Sequence, residues 1–236
     1  MRVHLVHAHP EQGSFVAAMR DTMVSAFEAG GAEVTVADLY AMDFEPCALA
    51  ADFGARQNPT HLTYALEQRH GRATGTIAPD IDAEVDRVMA ADVLAFTFPV
   101  FWFSTPAILK GWIDRVFLSG TFYGGKRVYG RGGLAGKRAA VAMSLGGREH
   151  MFGEKAIHGE LVTGMMRHFF QGTLGYVGLA VHSPFVAYHV PYVDNAARGV
   201  MLADLAHYVH TLDRQPVLAM PNLADFDDTF APRGNS

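Results

Sequence analysis

Cysteine is nearly missing. Cys47 is the single thiol in 236 residues, so no intrachain disulfide can form and nothing points to an oxidising compartment. Charge is scarce too: Asp, Glu, Lys and Arg make up 18% of the chain, and 19 basic against 24 acidic side chains leave a net charge of -5. That balance gives no cationic field for nucleic acid, so no nucleic-acid partner is expected and any bound phosphate must be held locally. The longest apolar region, Val93 to Leu109, is broken by Pro99, Ser104, Thr105 and Pro106 and falls short of a membrane span. Metal-ligand spacings, a nucleophile elbow, a Walker loop and a six-residue dinucleotide glycine motif are absent, which disfavours hydrolase and kinase chemistry. The opening stretch Met1–His7 runs straight into a loop without a signal-peptide pattern, so a cytoplasmic protein is expected.

Half of the residues are hydrophobic, enough for one well-filled α/β domain. Residues 2–8 read as a buried strand, Ser14 to Ala29 as a helix capped by Ser14 and ended by Gly30-Gly31, and Glu33 to Asp38 as a second strand. Leu39 to Pro79 is irregular, an insertion with a short helix around Leu62–Gln68. Asp82 is expected to cap the next helix, and Val93 to Phe98 is the strongest strand. Pro106 opens a helix carrying Leu109, Trp112, Ile113 and Val116. Residues 119–136 hold seven glycines and read as a long functional loop. A strand at Arg138–Ser144, a helix around Ile157–Phe170, a strand within Leu179–Ala187 and a helix at Asn195–Leu212 complete the pattern. The expected fold is a doubly wound, five-stranded parallel sheet of order 2-1-3-4-5 with helices on both faces. Residues 1–212 form the catalytic domain, and 213–236 an irregular tail that frays or lies over a partner.

Three strand-to-helix loops converge on the carboxyl edge of such a sheet, where open α/β folds bind ligands. The first contains His9, Gly13, Ser14 and Phe15, with a helix amino end suited to phosphate. The second, Pro99-Val100-Phe101-Trp102-Phe103, offers aromatic rings and main-chain N–H groups. The third, Ser144-Leu145-Gly146-Gly147, allows close backbone approach. Their complementary compositions read as one flavin site. His158, near a helix start, is a titratable group able to meet charge developing on a bound ring.

The stretch Phe98 to Phe117 resembles the "FP..WF..PAILKGW..RVF" signature of the NAD(P)H:quinone oxidoreductase (DT-diaphorase) family, in the flavodoxin-like superfamily. Gly146-Gly147 and Ile157-His158-Gly159 match further on, and the likeness covers most of residues 1–212. The resemblance implies a flavoenzyme that passes a hydride from NADH or NADPH to a quinone by a ping-pong route, both substrates using one pocket in turn. It implies that His9, Ser14 and Phe15 meet the flavin phosphates, that Pro99 to Phe103 and Ser144 to Gly147 meet the ring, and that His158 is catalytic. It further implies a homodimer with active sites at the interface, the apolar helices after residues 106 and 157 supplying the contact. Arg198 matches an arginine that meets the dinucleotide part of FAD, so FAD is expected, with FMN the alternative. Two departures stand out. Phe152 occupies the position of the family's tyrosine, so His158 acts alone or with His150 beside the ring and the substrate. Of two tyrosines that the family places over the partner's site, only Tyr123 matches, which implies a more open quinone pocket. An azo- or nitro-reductase, an ancillary subunit of a potassium efflux channel and a flavodoxin-type electron carrier remain alternatives.

Overall fold

In a computed structural model that describes residues 1–234, the first apolar run forms β1, Arg2–His7, buried from Val3 onward. Burial on both faces is what a central parallel strand requires. β2 (Glu33–Asp38), β3 (Val93–Pro99), β4 (Arg138–Ser144), β5 (Ala180–Val181) and β6 (Phe185–Ala187) join it. All pairings are parallel and the order is β2-β1-β3-β4-β5, with β6 also on β4. This is the expected order, except that two strands share the fifth position. β5 lies against Arg138–Ala139 and β6 against Ala142–Ser144. Between them stands Pro184, which has no N–H to give to a ladder.

Helix α1 (Phe15–Ala29) and α6 (Asn195–His210) cover one face of the sheet. The other face carries α3 (Pro79–Ala90), α4 (Ala107–Val116) and a segment in which α5 (Arg167–Phe169) is flanked by wide π-helical turns at Leu161–Met165 and Phe170–Gly175. Ser14 caps α1 as expected, its Oγ accepting from Ala17 N at 3.1 Å. Asp82 does not cap α3. Pro79 sets the first helical turn and Ala78 precedes it, so Asp82 lies inside that turn, where its charge suits the helix dipole. The expected helix from Ile157 begins only at Leu161, because Gly159 takes a φ of 67° that interrupts right-handed coiling. Pro106 sits just before α4, extended at ψ 149°.

The irregular stretch 39–79 contains α2 (Tyr64–Thr74) and is more than an insertion, since Phe44, Phe53 and Ile77 enter the core. Arg115 of α4 holds it. The guanidinium donates to Asp52 Oδ1 at 2.8 Å, Asp80 Oδ2 at 2.8 Å and the Glu45 carbonyl at 2.9 Å, and lies 5.0 Å from the Phe44 ring centre. Gly111 permits the contact: a Cβ there would fall 2.1 Å from the Pro46 carbonyl oxygen. Trp112 donates to the buried Glu84 carboxylate at 2.8 Å, and Glu84 also meets His4 at 3.2 Å. The "KGW..R" part of the signature therefore builds scaffold. The tail is tied to the sheet at its start, for Ser183 N donates to Pro216 O at 2.7 Å and Leu218 N to Val181 O at 2.8 Å, laying residues 216–218 antiparallel to β5.

Candidate active site

Strand order reverses between β1 and β3, and the loops after β1, β3 and β4 leave neighbouring strands at one edge. In the first loop the N–H groups of Phe15 and Val16 have no acceptor among the described residues, whereas Gly13 N donates to Glu11 Oε1 at 2.8 Å. His9 Nδ1 lies 3.0 Å from Glu11 N and 3.2 Å from Glu11 O, which seats the ring on its own turn and leaves Nε2 directed away from both contacts. Beneath this loop lies His7, which sequence reasoning missed. It ends β1, is fully buried, and bonds Thr97 Oγ1 at 2.8 Å through Nδ1 while Nε2 has no partner. Burial pushes its pKa down to about 4, with Asp38 opposing and Arg20 reinforcing the shift, so the ring is neutral at pH 7. Its position at the carboxyl end of the strand was the available signal.

The second loop contains a tight turn. Phe101 N donates to Ser104 O at 3.0 Å and Ser104 N to Phe101 O at 2.9 Å, with Trp102 (φ 51°) and Phe103 (φ 54°) both in the left-handed region. That conformation turns their own N–H groups away from the chain, and neither has an acceptor among the described residues. The N–H groups of Gly146 and Gly147 in the third loop likewise have no acceptor among the described residues. That loop is held from behind by His189 (φ 59°), whose main-chain N donates to Gly147 O at 2.9 Å and whose Nδ1 bonds Gly146 O at 3.0 Å. His189 and Tyr188 follow β6 and are brought here by strand register, which no local pattern reveals.

These two loops enclose a cleft of about 250 Å³, lined by Val100, Trp102 and Phe103 on one side and by Leu145, Gly146 and Gly147 on the other. Phe152, His158 and Leu161 close its end. The His158 ring lies 5.3 Å from both the Phe103 and the Phe152 rings, and its main chain is fixed by a 3.1 Å bond to Met151 O. Neither ring nitrogen has a hydrogen-bond partner among the described residues, so both are available. Tyr188 stacks behind Phe152 at 6.0 Å, and burial together with the Glu149 charge keeps its phenol protonated.

Other expected site residues lie outside the cleft. Pro99 and Ser144 are buried strand ends, and the Ser144 carbonyl accepts from Val100 N at 2.8 Å. Phe101 is half exposed beside the turn. Arg198 donates to Val190 O at 3.1 Å, with its Nε buried and unpartnered. Tyr123 lines a separate cleft with Ile113, Phe117 and Tyr176, its ring 5.7 Å from that of Tyr176. His150 sits in the turn Glu149–Met151, with no ring contact to His158 among the described residues.

A family model for the flavodoxin-like fold matches residues 1–210. The chain belongs to that family. NAD(P)H dehydrogenase (quinone) 1 of Cavia porcellus is 34% identical over 223 residues, covering 94% of this chain and 81% of that protein. Ribosyldihydronicotinamide dehydrogenase (quinone) of Mus musculus is 34% identical over 226 residues, covering 93% and 96%. A crystal structure from Klebsiella pneumoniae, described as a quinone reductase, superposes with a TM-score of 0.93 at 32% identity, covering 99% of this chain and 94% of that one. With relatives of this closeness along almost its whole length, the chain is an oxidoreductase. No helix among the described residues is long and apolar enough to cross a membrane.

Proposed function

We propose that the chain binds FAD and reduces quinones with NAD(P)H, the two substrates occupying one pocket in turn. The observation that carries this reading is the cleft itself, where free N–H groups of Trp102, Phe103, Gly146 and Gly147 border an aromatic pocket that contains His158 with both ring nitrogens unbonded. Main-chain donors suit the polar edge of a flavin ring, and the unpaired N–H groups of Phe15 and Val16 at the start of α1 suit its phosphates. The buried Nε of Arg198 is a further donor without an acceptor among the described residues and the buried Nε2 of His7 a further polar atom without a partner; Arg198 is the residue assigned here to the dinucleotide part of FAD. Bound flavin supplies the two-electron chemistry, accepting from the nicotinamide and giving to the quinone.

The chain's own part is positional and electrostatic. His158, walled by Phe103 and Phe152, can hold a proton at a ring nitrogen facing negative charge that develops in the pocket, the kind of preorganised donor that accelerates such steps. Phe152 offers no hydroxyl to share that task, so His158 performs it without the upstream partner, and His150 takes no part. A cleft of about 250 Å³ is below the usual size for a ligand site of this kind. Its rim exposes Trp102 at 97%, Ile157 at 82% and Tyr192 at 72%, apolar surface that calls for a cover. A second copy of the chain supplies that cover, with Tyr123 reaching the partner's pocket. The exposed, unpaired Cys47 suits the reducing cytoplasm.

The test is the visible spectrum of the purified protein. Yellow colour bleached by NAD(P)H without oxygen and restored by menadione is the expected result, and a colourless protein that takes up no added flavin would refute the reading. Phosphodiesterase treatment of the heat-released flavin, followed by fluorescence, distinguishes FAD from FMN.

A further inference from the structure

Trp102 and Phe103 hold consecutive left-handed conformations, φ 51° and 54°, which bulky L residues rarely adopt. A two-residue turn of this hand ordinarily takes Asn-Gly. The reciprocal Phe101–Ser104 bonds close the turn, but something outside it must hold it in place. Ser104 Oγ lies 3.0 Å from His168 Nε2. His168 Nδ1 lies 3.1 Å from the Met165 carbonyl, which can only accept, so Nδ1 carries the proton, Nε2 accepts, and the Ser104 hydroxyl donates. The imidazole is exposed, but its main chain is anchored from the next residue. Its neighbour Phe169 is buried, with its ring 5.7 Å from Phe96 and 5.4 Å from Phe98, both on the strand that leads into the turn. The π-helical turns on either side of α5 change the angular spacing of side chains from that of a regular helix.

We infer that His168 is a positioning residue for the ring-binding edge: through Ser104 it clamps the Phe101–Ser104 turn, so that the Trp102 and Phe103 N–H groups stay presented for the flavin. The inference rests on the flavin reading above. Strand, turn, hydroxyl, imidazole and Phe169 form a closed circuit that refers the turn back to its own strand. The His168–Ser104 bond is exposed, so its effect is moderate.

Flavin-free wild type, His168→Ala, Ser104→Ala, the double variant and His168→Gln are compared in two ways. Amide exchange at Phe101 and Ser104 is read by NMR in the flavin-free protein, and affinity for FAD and for FMN is read by quenching of flavin fluorescence. Each single Ala variant is expected to exchange roughly three- to tenfold faster and to bind flavin weaker by the same factor. The double variant is expected to be no worse than either single one, and Gln, whose amide oxygen reaches the place of Nε2, to recover more than half of the loss. If wild type binds flavin while His168→Ala matches it in exchange and affinity, or if the two Ala effects add, the clamp is overturned and the functional reading stands. If wild type takes up neither flavin, the functional reading falls and this inference with it.

Discussion

Replacing Arg115 by Met tests whether the family signature builds scaffold. Among the described residues Arg115 is the sole donor to Asp52 Oδ1, while Oδ2 also receives Tyr64 Oη at 2.5 Å and Leu49 N at 3.0 Å. Asp52 is 3% exposed. Met fills much of the space of the side chain but leaves that carboxylate buried with half of its acceptors unmet, a loss of about 3–5 kcal/mol. For a chain of this size that corresponds to a fall in Tm of roughly 6–20 °C. The Arg115 guanidinium and the Tyr64 hydroxyl hold the Asp52 carboxyl below its ordinary range against the opposing effect of burial. A depressed carboxyl adds stability that is fully present above the ordinary value of about 3.9 and is lost as pH falls through the lower folded value. Without Arg115 burial dominates and the pKa rises, so the folded variant takes up a proton more readily than the unfolded chain. Its deficit against wild type therefore narrows as pH falls from 7 to 4.5. Thermal and urea unfolding followed by circular dichroism at the two pH values measures this, and Asp52→Asn added to Arg115→Met should recover at least half of the deficit. A deficit under about 1 kcal/mol at pH 7, against the several expected for a broken buried pair, or one that does not change with pH, would refute the reasoning.

Further outcomes are expected elsewhere. The unfolded chain protonates His7 near pH 6.5 but the folded one only near 4, so folding stability should fall by about 3 kcal/mol as pH drops through that window; urea titrations should show His7→Gln flattening this slope. Gly111→Ala forces a methyl group against the Pro46 carbonyl and should lower Tm by roughly 6 °C or more, given overpacking of about 3 kcal/mol or more. Gly147→Ala brings a Cβ within 3.0 Å of Phe152 Cε2; fluorescence titration should show flavin affinity falling severalfold while Tm stays close to wild type. His158→Gln should slow stopped-flow flavin reduction roughly 10²-fold, and an unchanged rate would remove His158 from the mechanism.

β1 to β4 were legible because each is a short apolar run ended by a turn signal, and sheet order followed from their alternation with helical patterns. The fifth position was legible only as a region, since Pro184 splits it. Residues 39–79 lacked periodicity because a long-range polar contact from Arg115 replaces local propensity there. The wide turns around α5 escaped notice because a 3.6-residue period cannot register them. Within the candidate site, Phe103 and Gly147 lie in the loops where composition pointed, whereas Phe152 was singled out through the family resemblance alone and His158 took its role from it. His7, His168 and Tyr188 did not stand out, because each acquires its place through register or tertiary contact and carries no local mark.

The antiparallel run of residues 216–218 along β5 has a consequence for solubility. A parallel sheet that ended at β5 would leave hydrogen-bonding groups bare, a template on which another molecule's strand could ladder. By bonding Val181 O and Ser183 N, the tail blunts that margin, and Pro216 adds a residue unable to extend a ladder. A chain shortened after His210 should therefore clump through its raw border before losing its interior, visible as light scattering that precedes the change in circular dichroism on heating.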